Sequence, residues 1–222
     1  MLRKLQSATM MYLTALVGFL LVLTTEARVG NSSQLEFCTE TEECLLFDLM
    51  CETDKYEVRH YGSVKWVSTD INSYAMEFAA PRAFMRLFKY IKGENEGGKK
   101  IQMTSPVLVK IPEKKFWERG AFTMSFLLPS EHQMNPPKPA NDDVYIKEMP
   151  EMNVYVMSYG GWMSGMADGS KSKELASALD SVNAKYTKGF HCAAGYNSPM
   201  TMFNRHNEVW YAVEGDPVCP SN

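Results

Sequence analysis

Polar and apolar residues alternate along "YEVRHYGSVKWVST" (56–69), a pattern that predicts two short strands around a turn. Side chains flip at every residue of a strand, so Tyr56, Val58 and His60 share one face and Glu57, Arg59 and Tyr61 the other. An imidazole that ends an apolar face is a satisfied core residue, a catalytic base or a metal ligand. Farther on the period lengthens. Phe84, Leu87, Phe88 and Ile91 recur at i, i+3, i+4 and i+7, which predicts an amphipathic helix with Pro81 near its start and Gly93 as its stop. "FTMSFLLPS" predicts another strand, and "DVYIKEMPEMNVYVMSYGG" (143–161) again reads as two strands around a turn. Leu175, Ala178, Leu179, Val182 and Tyr186 mark a second helix, and "NEVWYAVE" (207–214) closes the chain as a strand.

The order strands, helix, strands therefore occurs twice, in halves of about 56–133 and 143–214 joined by the proline-rich "MNPPKPAND" (134–142). Each half also carries a Ser-Pro before strand-like residues, "IQMTSPVLVKI" (101–111) and "GYNSPMTMF" (195–203), with the prolines 93 positions apart. Antiparallel strands with one helix per half predict an α+β fold. "GGWMSGMADGS" (160–170) is glycine-rich without the spacing of a phosphate loop and reads as a flexible connection.

The N-terminus changes the picture by setting the compartment. Arg3 and Lys4 precede an apolar stretch, "YLTALVGFLLVL", and then "TTEA" places the small residues Thr25 and Ala27 at a cleavage position. Residues 1–27 thus read as a secretory signal, and an uncleaved anchor is the alternative, because no charge falls between Gln6 and Thr25. Removing them leaves 195 residues with 21 basic and 25 acidic side chains, a net charge of −4. That mild acidity argues against nucleic acid as a partner, and no later segment is apolar enough to span a bilayer. "NSS" at Asn31 is a glycosylation sequon.

Five cysteines remain, Cys38, Cys44, Cys51, Cys192 and Cys219, so an oxidising compartment predicts at most two internal bridges and one leftover thiol. At least one bridge is expected to tie the 28–55 extension to itself or to Cys219; a last strand running beside the first would bring Cys51 and Cys219 together. No C-x-x-C-H occurs, which excludes covalent c-type haem, and no G-x-S-x-G, Walker loop or H-E-x-x-H supports an enzyme.

"YEVRHYGSVKWVST", "IQMTSPV", "PPKP" and above all "AGYNSPM" followed by "NRHNEVWYAV" resemble the SOUL haem-binding protein family, in register from about Tyr56 to Val213. The 28–55 extension and Cys219 have no counterpart in that pattern, so the family-like domain is 56–222. The resemblance implies a pseudo-two-fold distorted antiparallel β-barrel of two four-stranded sheets flanked by two helices. It also implies non-covalent binding of haem or porphyrin.

By the same resemblance His60 matches a histidine proposed as an axial iron ligand, against the plainer reading of a strand-end histidine hydrogen-bonded to backbone. The implied pocket lies between the first helix and the loop after the second Ser-Pro. Its apolar walls would be Phe84, Leu87, Phe88, Ile91, Tyr196, Met200 and Met202, with Arg86, Lys89 and Arg205 as rim cations for the propionates. Ordinary helix packing competes for the first four of these. His132, His191 and His206 share no ligand spacing and read as solvated. The function expected is a secreted haem or porphyrin carrier; the rival readings are an interaction scaffold and a binder of another flat amphipathic molecule.

Overall fold

Alternation along the long strands feeds two different cores, one on each face of a single curled sheet. In the computed structural model, which describes residues 28–219, strand β4 (Glu57–Tyr61) sends Tyr61 to one face and Val58 to the other. Strand β9 (Met152–Tyr159) does the same with Val154 and Val156 against Tyr155 and Met157. The signal-like segment 1–27 lies outside the described residues.

A two-stranded sheet of β1 (Val29–Asn31) and β2 (Glu43–Leu45) belongs to the N-terminal extension. The main sheet adds β3 (Asp48–Glu52), β5 (Val64–Ser73), β6 (Val107–Pro112), β7 (Gly120–Leu127), β8 (Val144–Met149), β10 (Phe190–Gly195) and β11 (Asn207–Ala212). Its order is β3-β4-β9-β11-β10-β6-β7-β5-β8, antiparallel throughout. Leaving out the edge strand β3, exchange of β4–β7 with β8–β11 turns this order into its own reverse. The pseudo-two-fold axis therefore passes between β6 and β10. The two expected four-stranded sheets are β4-β9-β11-β10 and β6-β7-β5-β8, each with one strand from the other half, fused where Val107–Pro112 pairs with Phe190–Gly195.

Helix α1 (Met76–Ile91) packs Ala79, Ala83, Leu87 and Ile91 on Val67, Ile71, Phe122 and Met124. Helix α3 (Gly165–Ser181) covers the other half of the same face, setting Leu175 and Leu179 on Tyr155, Met157 and Val209. A one-turn helix, α2 (Ser130–Gln133), lies between β7 and β8. The opposite, inner face holds Trp66, Leu108, Trp210 and Tyr196, and the N-terminal segment covers it with Val29, Phe37, Leu45 and Phe47. Both faces are thus buried. Among the described residues no helix is long and apolar enough to cross a membrane.

Several local expectations differ from the structure. Helix α1 starts at Met76, so Pro81 is its sixth residue, while Gly93 ends it with φ +121°, a conformation few other residues adopt. The stretch expected to be a flexible connection is half helix, because Ser164 Oγ caps Ala167 N at 3.2 Å and α3 begins at Gly165. Val182 is that helix's C-cap, and Tyr186 lies past its end. The two Ser-Pro pairs are not equivalent positions. The first precedes β6, whereas the second follows β10; antiparallel pairing of the two strands brings them to the same end, where Ser105 Oγ donates to the Tyr196 carbonyl at 3.3 Å.

Two disulfides form, Cys38–Cys44 within the extension and Cys51–Cys219 between β3 and the chain end, with Cα separations of 6.5 and 6.0 Å. Strand β11 does not run beside β3 or β4, since β9 lies between them. Instead Cys219 is brought in by the last residues, where two tyrosines hold Val218: its N–H donates to Tyr155 Oη at 3.0 Å and its carbonyl accepts from Tyr56 Oη at 3.1 Å.

Candidate functional site

Strand β4 carries two neighbouring residues of opposite fate. Arg59, 1% exposed, points to the inner face and donates from Nη1 to Glu208 Oε1 at 2.9 Å and from Nε to Glu57 Oε2 at 2.6 Å. Glu208 on β11 is fully buried. Its Oε1 also pairs with His206 Nε2 at 2.7 Å, and its Oε2 accepts from the Tyr196 hydroxyl at 2.9 Å and the Trp210 indole at 2.7 Å. Burial alone would raise this carboxyl; the Arg59 charge and the His206 and Trp210 donors outweigh it and hold the group at about 2. Burial beside that carboxylate pushes the Tyr61 and Tyr196 phenols well above their ordinary range. The extension seals the network, with Phe37 stacked on His206 at 4.1 Å and Phe47 facing the Arg59 guanidinium at 4.0 Å. Each Glu208 oxygen already accepts two donors, so this cluster clamps the inner face and leaves no open position for a ligand.

His60, next to last in the same strand, is half-buried between Asp48 of β3 and Asn153 of β9. Its Nδ1 lies 2.9 Å from Asn153 Oδ1. With Nδ1 donating to that oxygen, Nε2 keeps its lone pair, the form in which imidazole ligates a metal. The ring lines a cleft of about 1280 Å³ between the extension, the β4–β5 turn and the β8–β9 turn. Val29, Leu46, Val64, Met134 and Pro150 give the cleft apolar surface, and Arg28 and Lys65 bring cations to it. Arg28 pairs with Asp48, while Lys65 Nζ reaches the Met134 carbonyl at 3.2 Å. Asp48, Glu148 and Glu151 line the cleft as well, so its walls combine apolar surface, an imidazole and charges of both signs.

None of the other ten expected site residues lines this cleft. Leu87 and Ile91 lie in the core beneath α1 and serve packing. Phe84 and Phe88 stack with ring centres 5.7 Å apart and stay half-buried, Phe84 also meeting Phe126 at 5.2 Å. Arg86 turns toward β8, pairing with Asp143 at 2.9 Å, and Lys89 stands exposed near Glu94 at 3.8 Å. Tyr196 belongs to the inner-face cluster, on the side of the sheet away from α1. Met200 and Met202 are exposed on the loop before β11. Arg205 holds that loop, donating to the Ser198 and Thr201 carbonyls at 2.7 Å each while its guanidinium stacks 4.4 Å over Trp162.

The three histidines expected to be solvated are not. His132 is buried in α2 beside Glu131, His191 is buried on β10 with Nε2 2.6 Å from Asp168 Oδ2, and His206 is half-buried in the Glu208 network. The last two pair with carboxylates that the fold buries, a partnership that no ligand spacing announces.

The pattern of the SOUL heme-binding protein family matches residues 42–212. The chain is 39% identical over 164 residues to "Heme-binding protein 2" of Homo sapiens, covering 73% of this chain and 80% of that protein. It is 36% identical to "Heme-binding protein 2" of Mus musculus over 77% of this chain and 83% of that one, and 30% identical to "Heme-binding protein 1" of Xenopus tropicalis over 70% and 82%. The crystal structure of the EcmrR C-terminal domain shares the fold, with a TM-score of 0.56 at 9% identity over 77% of this chain and 99% of that one. The matched span runs from β2 to the end of β11 and takes in both halves of the palindromic sheet, so this chain belongs to the SOUL haem-binding protein family.

Proposed function

We propose that the protein is a secreted carrier or scavenger that binds haem or a related porphyrin without covalent attachment, with His60 as axial ligand to the iron. The observation that carries this reading is the His60 ring on the cleft wall, its Nδ1 tied to Asn153 and its Nε2 left with a lone pair. Lys65, and Arg28 on leaving Asp48, would take the propionates against the Asp48, Glu148 and Glu151 carboxylates of the same walls, and Val29, Leu46 and Val64 the ring edge. Bound haem supplies reversible iron ligation; the chain supplies the ligand, the apolar wall and the cations. Family membership and the names of the relatives support the ligand class. The two disulfides and the signal-like N-terminus support secretion, and cleavage after Ala27 would put the α-amino group of Arg28 at the cleft mouth.

A second seat for the ring is the half-buried Phe84–Phe88 stack on α1, which the resemblance implied and beside which Lys92 Nζ lies 5.2 Å from the Phe88 ring. It keeps the ligand class but dispenses with His60. Titration of the mature protein with ferric haem, followed at the Soret band, tests the proposal. The expected result is a saturable one-to-one change that weakens on acidification, because protons compete for the imidazole lone pair. Absence of a saturable change contradicts haem binding and leaves the scaffold reading.

A further inference from the structure

Four aromatic side chains and a methionine stand in solvent around one corner of the fold, away from the His60 cleft. The β6–β7 hairpin, "EKKFWERG" (113–120), carries Phe116 and Trp117 at its tip, 83% and 58% exposed, their rings edge-on at 4.7 Å. The tip leans on the start of α1, since Lys114 Nζ donates to the Tyr74 carbonyl at 2.6 Å and Arg119 lies 5.2 Å from the Tyr74 ring. Tyr74 is exposed, and Phe78, 70% exposed, follows it; Phe78, Arg82, Met85 and Lys89 then form one solvent-facing stripe along α1. Folding leaves this surface bare, although burying aromatic rings is favourable.

The charges in the patch indicate what covers it. Lys114 is held by the Tyr74 and Glu118 carbonyls, and the exposed Glu118 carboxylate accepts the Lys115 N–H at 3.2 Å. Lys115, Arg119 and Arg82 pair with no carboxylate among the described residues, while Glu113 stays exposed at the base of the tip. Lys115 and Arg119 instead lie near the faces of Trp117 and Tyr74, at 5.4 and 5.2 Å. Exposed Trp, Tyr and Phe ringed by unneutralised cations is the composition that settles into the headgroup layer of an anionic bilayer. We infer that the β6–β7 tip and the exposed stripe of α1 form a peripheral membrane-docking surface, with Phe116 and Trp117 entering the interface and Lys115, Arg119 and Arg82 meeting acidic lipid headgroups. The protein then docks reversibly on a lipid surface without spanning it, and the His60 cleft stays open on the bound molecule.

Co-sedimentation with vesicles tests this, using phosphatidylcholine with and without phosphatidylserine at about 0.1 M salt, where charges act over about 10 Å. Wild type sediments with the phosphatidylserine vesicles and stays in solution with phosphatidylcholine alone. The double variant Phe116→Ser/Trp117→Ser partitions about tenfold or more less, and so does Lys115→Glu/Arg119→Glu, which alters only exposed charges and keeps the test valid should the aromatic pair be needed for folding. Phe203→Ser, on the exposed loop before β11, sediments as wild type does. Wild type left in the supernatant with both vesicles, or tip variants that sediment unchanged, overturns the inference and assigns the patch to a protein partner or to none.

Discussion

Arg59 and Glu208 are 149 residues apart in sequence and meet inside the sheet with every Glu208 lone pair in use. Removing one partner leaves the other buried charge with only Glu57 or His206 beside it, so Glu208→Gln and Arg59→Met should each cost up to the ~3–5 kcal/mol of a fully broken buried pair in denaturant unfolding. Combined, the two losses should not add, because they remove one interaction. The pH dependence has a definite sign. Glu208 titrates lower folded, at about 2, than unfolded, at about 4.3, so its stabilisation is whole above pH ~4.3 and fades as pH falls toward 2. A wild-type stability curve flat between pH 5 and 2 would contradict that assignment. Cys192 is the leftover thiol, and burial holds it up at about 11. Ellman's reagent near pH 8 should therefore find no reactive thiol in the native protein and one after non-reducing denaturation.

At the scale of elements, the N-terminal extension acts as part of the core. Glu40 grips the loop before β11 through Asn197 Nδ2, the Ser198 N–H and Thr201 Oγ1, and those donors outweigh its burial and keep its carboxyl below the usual value. Cys51–Cys219 closes a loop of 168 residues, and its removal by Cys51→Ser/Cys219→Ser should cost about 2–4 kcal/mol, read as a melting temperature lower by roughly 10 °C. An unchanged melt would mean that the chain end is fixed by Tyr56 and Tyr155 alone. The strand pairs and both helices were legible from period alone, because a sheet face and a helix stripe each impose one spacing. Arg59 was not. Alternation assigns Glu57, Arg59 and Tyr61 to a polar face only if that face meets water, and here the extension covers it. The burial of His191 has a different cause: Asp168 reaches it from a helix start that the glycine-rich stretch disguises. The Ser-Pro pairs misled differently, because two antiparallel neighbours bring like sequences face to face without making them equivalent.

For the whole molecule, the residues expected in one site lie in separate places. His60 sits on the cleft at the barrel's corner, and the Phe84–Phe88 stack lies on the helical face. The compartment is open to a direct check: protein secreted from eukaryotic cells should begin at Arg28 and carry a glycan on Asn31, which is exposed on the extension. Intact mass that retains residues 1–27, or protein held in the cytosol, would contradict secretion. The position of the ligand is the central claim, and a single set of Soret titrations addresses it, with ferric haem and metal-free protoporphyrin each added to wild type, His60→Ala and Phe88→Asp. Ligation by His60 predicts a shifted Soret band and about tenfold or greater loss of haem affinity in His60→Ala, with protoporphyrin nearly unaffected and Phe88→Asp close to wild type for both. Equal losses of haem and protoporphyrin in Phe88→Asp, with His60→Ala indistinguishable from wild type, would place the ring on α1 and contradict the account.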